Sequence, residues 1–90
     1  MSQLRNDAAR GRYEMDEKGM TSWANYRLHG DTLYLDHVES PPALRGSGAA
    51  GRLMAALAED VQARGLKIVP ICGYAAAWLR RSPAYAGLVR

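Results

Sequence analysis

Ninety residues with a formal charge of +3 and a single cysteine, Cys72, describe one small domain without an internal disulfide framework. No apolar run approaches the roughly 18–20 residues of a membrane span, and the polar start Met1-Ser2-Gln3-Leu4-Arg5-Asn6-Asp7 lacks a signal-peptide core, so the expectation is a cytoplasmic protein with no membrane partner. Lys and Arg are spread without a block of like charge, which suits an anionic small ligand and argues against nucleic acid.

Residues 1–11 are polar and read as a flexible lead-in, leaving 12–90 as the domain. Arg12-Tyr13-Glu14-Met15 alternates as a first strand, and Asp16-Glu17-Lys18-Gly19-Met20 reads as a turn. Ser22 to Leu28 alternates again, with Trp23, Asn25 and Arg27 on one face and Ala24, Tyr26 and Leu28 on the other. His29-Gly30-Asp31 signals a hairpin. Thr32 to Val38 then forms a third strand, with Leu33, Leu35 and His37 sharing one face and Tyr34, Asp36 and Val38 the other. Beyond a glycine-rich run, Leu53, Leu57 and Val61 recur at helical spacing as far as Arg64, and Gly65 stops the helix. Leu66 to Ile71 is short and mostly apolar, as in a buried parallel strand reached by a right-handed crossover. Gly73 to Arg81 is a second helix, and Pro83 opens a final helical piece through Gly87. The fold class is α/β (α+β): three antiparallel strands, a loop, a helix, a parallel strand and C-terminal helices.

The glycine-rich run is Arg45-Gly46-Ser47-Gly48-Ala49-Ala50-Gly51, between Pro41-Pro42 and the first helix. Small residues leave the N–H groups of a helix's first turn open, and those donors together with the helix dipole favour an anion. A tight turn needs one glycine; three point to phosphate. Gly46, Gly48 and Gly51 also spell G-x-G-x-x-G. The dinucleotide fingerprint, however, needs a strand running into its first glycine and an acid about 20 residues on. Here Pro41-Pro42 interrupts the approach, and Lys67-Ile68-Val69-Pro70-Ile71-Cys72 holds no acid.

Three other residues carry candidate chemistry. His37 reads either as a half-buried histidine satisfied by a carbonyl or as a general base. Cys72 reads either as an inert buried thiol or as one whose thiolate a helix start favours. Glu39 is either solvated or a second base. Tyr74 and Tyr85 read mainly as core, and Trp23 and Trp78 as packing residues.

In this order and spacing the chain resembles the small stand-alone acetyltransferase-like proteins of the GNAT superfamily. Arg45-Gly46-Ser47-Gly48-Ala49-Ala50 fits that superfamily's acyl-CoA loop, R/Q-x-x-G-x-G/A. His37, Glu39 and Pro41-Pro42 fit the small family's approach to the loop. Pro70-Ile71-Cys72, Arg80-Arg81 and Pro83-Ala84-Tyr85 fit its end. Gly73 stands where the family has proline, and Ser82 where it often has histidine. The first part and last strands of full-length superfamily members are absent, and these usually help to build the acceptor site.

The resemblance implies an N-acetyltransferase that takes acetyl-CoA as co-substrate and uses no metal. The acceptor it implies is a small-molecule or protein amine, and the chain would be a monomer or weak homodimer. The pyrophosphate would lie on the backbone of Gly46, Ser47, Gly48, Ala49 and Ala50, with Arg45, Arg80 and Arg81 for the 3′-phosphate. Val38 would meet the thioester through its backbone. His37 and Cys72 would flank the acetyl group, His37 or Glu39 as base and Cys72 as acid or nucleophile. Two other readings stand beside it: an acyl-CoA-binding module without chemistry, and, last, a small nucleic-acid-binding protein.

Overall fold

The computed structural model describes residues 3–90, so Met1 and Ser2 lie outside the described residues. Strands β1 (Leu4–Asp7), β2 (Arg12–Glu17), β3 (Met20–His29), β4 (Thr32–Glu39) and β5 (Lys67–Pro70) form one sheet in that order. The first four are antiparallel neighbours, and β5 runs parallel to β4. Helix α1 (Ala49–Ala63) makes the crossover between β4 and β5, and α2 (Gly73–Arg80) follows β5. Short 3₁₀ turns occupy Pro42–Leu44 and Ala86–Leu88, so the last helical piece starts later than Pro83.

The antiparallel meander, crossover helix and parallel strand agree with the expected fold class, while the N-terminal segment differs. Leu4–Asp7, expected in a flexible lead-in, is an edge strand with Leu4 opposite Met15 and Asp7 opposite Arg12. A polar segment of four residues has too little periodicity to read as a strand. Its hold comes from its neighbours: Arg5 bridges to Glu14 and Asp16, and the Tyr26 hydroxyl donates to Asn6.

One core joins the sheet to both helices. Tyr13, Met15, Ala24, Tyr26, Leu33, Leu35 and Ile68 pack with Leu53, Met54, Leu57 and Val61 of α1 and with Ala75 and Leu79 of α2. The stripe on α1 is the one its spacing predicts. Tyr13 is fully buried, and its hydroxyl donates to Asp60 over 2.7 Å. Burial, with this hydrogen bond, pushes the phenol well above its ordinary range. The alternate residues Arg12, Trp23, Arg27 and Tyr34 form the second face, where Arg12 lies over the Trp23 ring and Arg27 over Tyr34. Trp23 therefore packs against a guanidinium and not in the core.

The pairing of β3 with β4 contains the main departure from the sequence pattern. Tyr26 faces Leu35 but Asn25 faces His37, so Asp36 is an extra residue in β4. A bulge sets two residues against one and slips the alternation. Val38 thus joins Leu33 and Leu35 in the core, and His37 is turned out and exposed. This reverses the expected faces of both residues. Arg27 pins the bulge with a fork onto Asp36, its Nε and Nη2 each 2.9 Å from a carboxylate oxygen.

At the far edge, Val89 bridges to Ile68 and the Arg90 N–H donates to the Ile68 carbonyl at 2.8 Å, which covers part of β5.

Several carboxylates are held below their ordinary range by guanidinium groups: Asp16 by Arg5, Glu17 by Arg52, Asp31 by Arg90 and Asp36 by Arg27. Each folded pKa lies below the unfolded one. The stabilisation is therefore complete above the ordinary carboxylate range and is lost as pH falls through the lowered values. The thermal midpoint is expected to drop between about pH 5 and about pH 3, and to drop less in about 1 M salt, which screens exposed pairs. A midpoint that stays level over that interval would contradict this account.

Candidate functional site

The site begins where β4 and β5 part. Their pairing runs from Thr32 opposite Lys67 to Leu35 opposite Pro70 and goes no further. The Leu35 carbonyl then accepts two N–H groups, from Ile71 at 3.0 Å and Cys72 at 3.1 Å. That double acceptance ends β5 and turns the chain into α2, whose N-cap is Cys72. The next residue of β4 is the bulge residue Asp36. The two strands therefore separate at one point, and β4 runs on to Glu39 without a parallel neighbour.

The loop after β4 is set by local hydrogen bonds. The Pro41-Pro42 pair folds into a 3₁₀ turn, in which the Leu44 N–H reaches the Pro41 carbonyl at 2.9 Å and Leu44 is buried as an anchor. The N–H and hydroxyl of Ser47 both donate to the Leu44 carbonyl, at 3.1 and 2.6 Å. Gly46 and Gly48 have φ of +81° and +89°, the left-handed region that an L side chain rarely enters. Gly48 caps α1 without a side-chain hydrogen bond, and the first backbone bond of the helix is from the Arg52 N–H to the Gly48 carbonyl. Among the described residues, the N–H groups of Gly46, Gly48, Ala49, Ala50 and Gly51 have no backbone acceptor. No acidic residue lies in the first turn to offset the dipole.

These amides border a cleft of about 460 Å³. Its walls are residues 38–40 of β4 and its exit, the turn at 44–46, the first turn of α1 at 48–51, and Tyr74 of α2. Helix α2 packs across position 51 of α1. A β-carbon there would lie 3.6 Å from Trp78 Nε1 and 3.7 Å from the Tyr74 hydroxyl. Both are ordinary contact distances, so position 51, which lies outside the R/Q-x-x-G-x-G/A pattern, has room for a β-carbon. Burial raises the pKa of Tyr74 above its usual value, opposed by nearby Arg81.

The sequence-predicted site residues fall into three groups. Val38, Glu39, Arg45, Gly46, Gly48, Ala49 and Ala50 line the cleft, and Ser47 shapes its loop. His37, exposed on the outer face of β4, and Cys72, at the start of α2, are not among the cleft's walls. Glu39 links the two groups: its carboxylate is 3.7 Å from His37 Nε2 and 3.5 Å from Arg45 Nη2. Cys72 is half-buried against the core. The third group is Arg80 and Arg81, which separate. Arg81 borders a second cleft of about 440 Å³ that shares Tyr74 as a wall, and Arg80 borders neither.

Sequence reasoning missed Ser40 and Leu44 as cleft residues and underrated Tyr74. Ser40 is buried with its hydroxyl 3.0 Å from that of Ser22, a contact between strands that no local pattern announces. A larger groove, about 680 Å³, lies between the β1–β2 edge and α1. It is lined by four carboxylates, Asp16, Glu17, Glu59 and Asp60, and by one guanidinium, Arg52, which is already paired with Glu17, so it is a poor seat for an anionic ligand.

A bulged antiparallel strand, a parallel strand that parts from it and an amide-lined helix start beside the gap define an acetyltransferase-type α/β fold. Residues 12–88 match the family of GCN5-related N-acetyl-transferases, and the chain belongs to that family. Its fold is similar to that of a GCN5-like protein from Staphylococcus aureus solved by NMR, with a TM-score of 0.73 and 22% identity over 100% of this chain and 91% of that chain. No curated protein matches the sequence significantly. The family resemblance seen in the motifs is thereby borne out.

Gly48 at the N-cap and Gly51 inside α1 make opposite demands. Gly48→Ala forces a left-handed alanine with its β-carbon 2.9 Å from Arg52 Nη1, and is expected to lower the unfolding free energy by about 1–2 kcal/mol. Gly51→Ala meets only ordinary contacts inside a helix and is expected to raise it by about 0.5–1 kcal/mol. Urea unfolding measures both, and equal effects would contradict the assigned backbone roles.

Proposed function

We propose that the chain is an N-acetyltransferase that moves an acetyl group from acetyl-CoA to an amine. One observation carries this reading: a row of unpaired amides at the start of α1 borders a cleft beside the gap between β4 and β5. The amides of Gly46, Gly48, Ala49 and Ala50 would take the pyrophosphate. Arg45 and Arg81 are the better-placed cations for the 3′-phosphate, since each borders a cleft and Arg80 does not. The acyl arm would run along residues 38–40 to the point where the strands part, and a backbone N–H near Val38 would meet the thioester oxygen as charge develops there.

The chemistry needs a base for the amine and an acid for the thiolate. The amine attacks the thioester carbonyl carbon, the C–N bond forms and the C–S bond breaks. His37 takes the amine proton, with Glu39 behind it to stabilise the imidazolium. Cys72 gives a proton to the departing thiolate, or as a thiolate accepts the acetyl group first and passes it to the amine. No helix among the described residues is long and apolar enough to cross a membrane.

A thermal-shift titration with acetyl-CoA, CoA and NAD, followed by transfer assays, tests this reading. The midpoint is expected to rise with the two CoA compounds and not with NAD, because a ligand that binds only the folded chain stabilises it. His37→Ala and Cys72→Ala are each expected to slow acetyl transfer by about 100-fold or more. A rise with NAD alone would overturn the ligand. Unchanged transfer in both variants would remove the catalytic roles, and saturable CoA binding with no turnover over a broad amine panel would leave a binding module.

A further inference from the structure

Arg52 lies on the first turn of α1 and joins the loop to β2. Its Nε and Nη2 form a fork onto the Glu17 carboxylate, at 2.9 and 2.7 Å. Its Nη1 donates to the Ser47 carbonyl at 3.0 Å. The same Nη1 lies under Gly48, where a β-carbon would come within 2.9 Å of it. Glu17 ends β2, next to the β2–β3 turn, and is 35 residues away in sequence from Arg52. One guanidinium therefore ties the centre of the loop to the end of β2.

The geometry points to the Glu17–Arg52 pair as a brace that pre-sets the loop 46–51 for an anionic ligand, so that affinity at the amides depends on a carboxylate that never touches the ligand. This deepens the acyl-CoA reading and rests on it. Ser47 sits between the two left-handed glycines, where the backbone has the most freedom to lose on binding. Holding its carbonyl in place removes part of that ordering cost before the ligand arrives, which is how preorganisation raises affinity. The planar fork of arginine suits the task because it can engage a carboxylate with two nitrogens and a carbonyl with the third. A lysine ammonium at the same place keeps the charge but cannot span both partners.

The sign of one substitution separates a brace from simple electrostatics. Glu17→Gln removes a negative charge near an anion site, and Coulomb's law alone then makes CoA bind more tightly. A brace predicts the opposite. Calorimetric titration of the full chain with CoA is expected to show Glu17→Gln and Arg52→Lys each weakening binding by about three- to tenfold, with the double variant no weaker than the worse single one. Backbone amides of the ligand-free loop are expected to exchange with solvent faster in Glu17→Gln than in the unaltered chain. Tighter or unchanged CoA binding by Glu17→Gln would overturn the brace, as would fully additive losses. Failure of the unaltered chain to bind CoA would overturn the acyl-CoA reading; unaltered loop exchange in Glu17→Gln would then discard the brace on its own.

Discussion

The carbonyl of Leu35 is the hinge on which the rest of the structure turns. It faces two N–H groups, from Ile71 and Cys72, where a continuing parallel ladder would supply them in spaced succession. Accepting both at once ends β5 and starts α2. One residue on, Asp36 adds a bulge on the other edge of β4, so the strand bends away just where its parallel neighbour stops. A bulge alone would re-aim side chains, and an early strand end alone would shorten the sheet. Together they leave three residues of β4, His37 to Glu39, paired on one side only, with the loop and the first turn of α1 across the gap.

Polar backbone left without a partner is normally a liability, which a fold removes with caps, turns or water. Here the open amides are concentrated beside one cleft, while the surrounding loop is tightly bonded: Leu44 is buried, Ser47 makes two bonds to its carbonyl, and Ser22 and Ser40 join hydroxyls beneath. A chain of ninety residues has a small core, so it has little stability to spend on a strained site. The left-handed glycines keep the strain low at Gly46 and Gly48, and polar pairs on the surface hold the surrounding strands in register.

Much of this was legible from the residues. Alternation gave the three long strands, the spacing of Leu53, Leu57 and Val61 gave the core stripe of α1, and the glycine-rich run marked the cleft. Three features were not legible, each for a physical reason. Strand β1 is short and polar, and its stability lies in contacts with β2 and Tyr26. The bulge at Asp36 leaves no trace in the alternation of Thr32 to Val38, which reads equally well unbroken; only pairing with Asn25 and the Arg27 fork shows that His37 faces out and Val38 faces in. The division between Arg80 and Arg81 depends on the helical turn at which α2 ends beside Tyr74 and Pro83. Motif reasoning places residues along the chain, and a one-residue slip in a ladder changes the face on which they act.

The central claim is that open amides at the start of α1 receive the phosphates of an acyl carrier. The most direct measurement is an amide-resolved NMR titration of the isotopically labelled chain with acetyl-CoA. The account predicts the largest shifts at the N–H groups of Gly46, Gly48, Ala49 and Ala50, with smaller ones at Val38 and Tyr74. Saturable shifts confined to the groove between β1 and α1, with the loop amides unmoved, would contradict it.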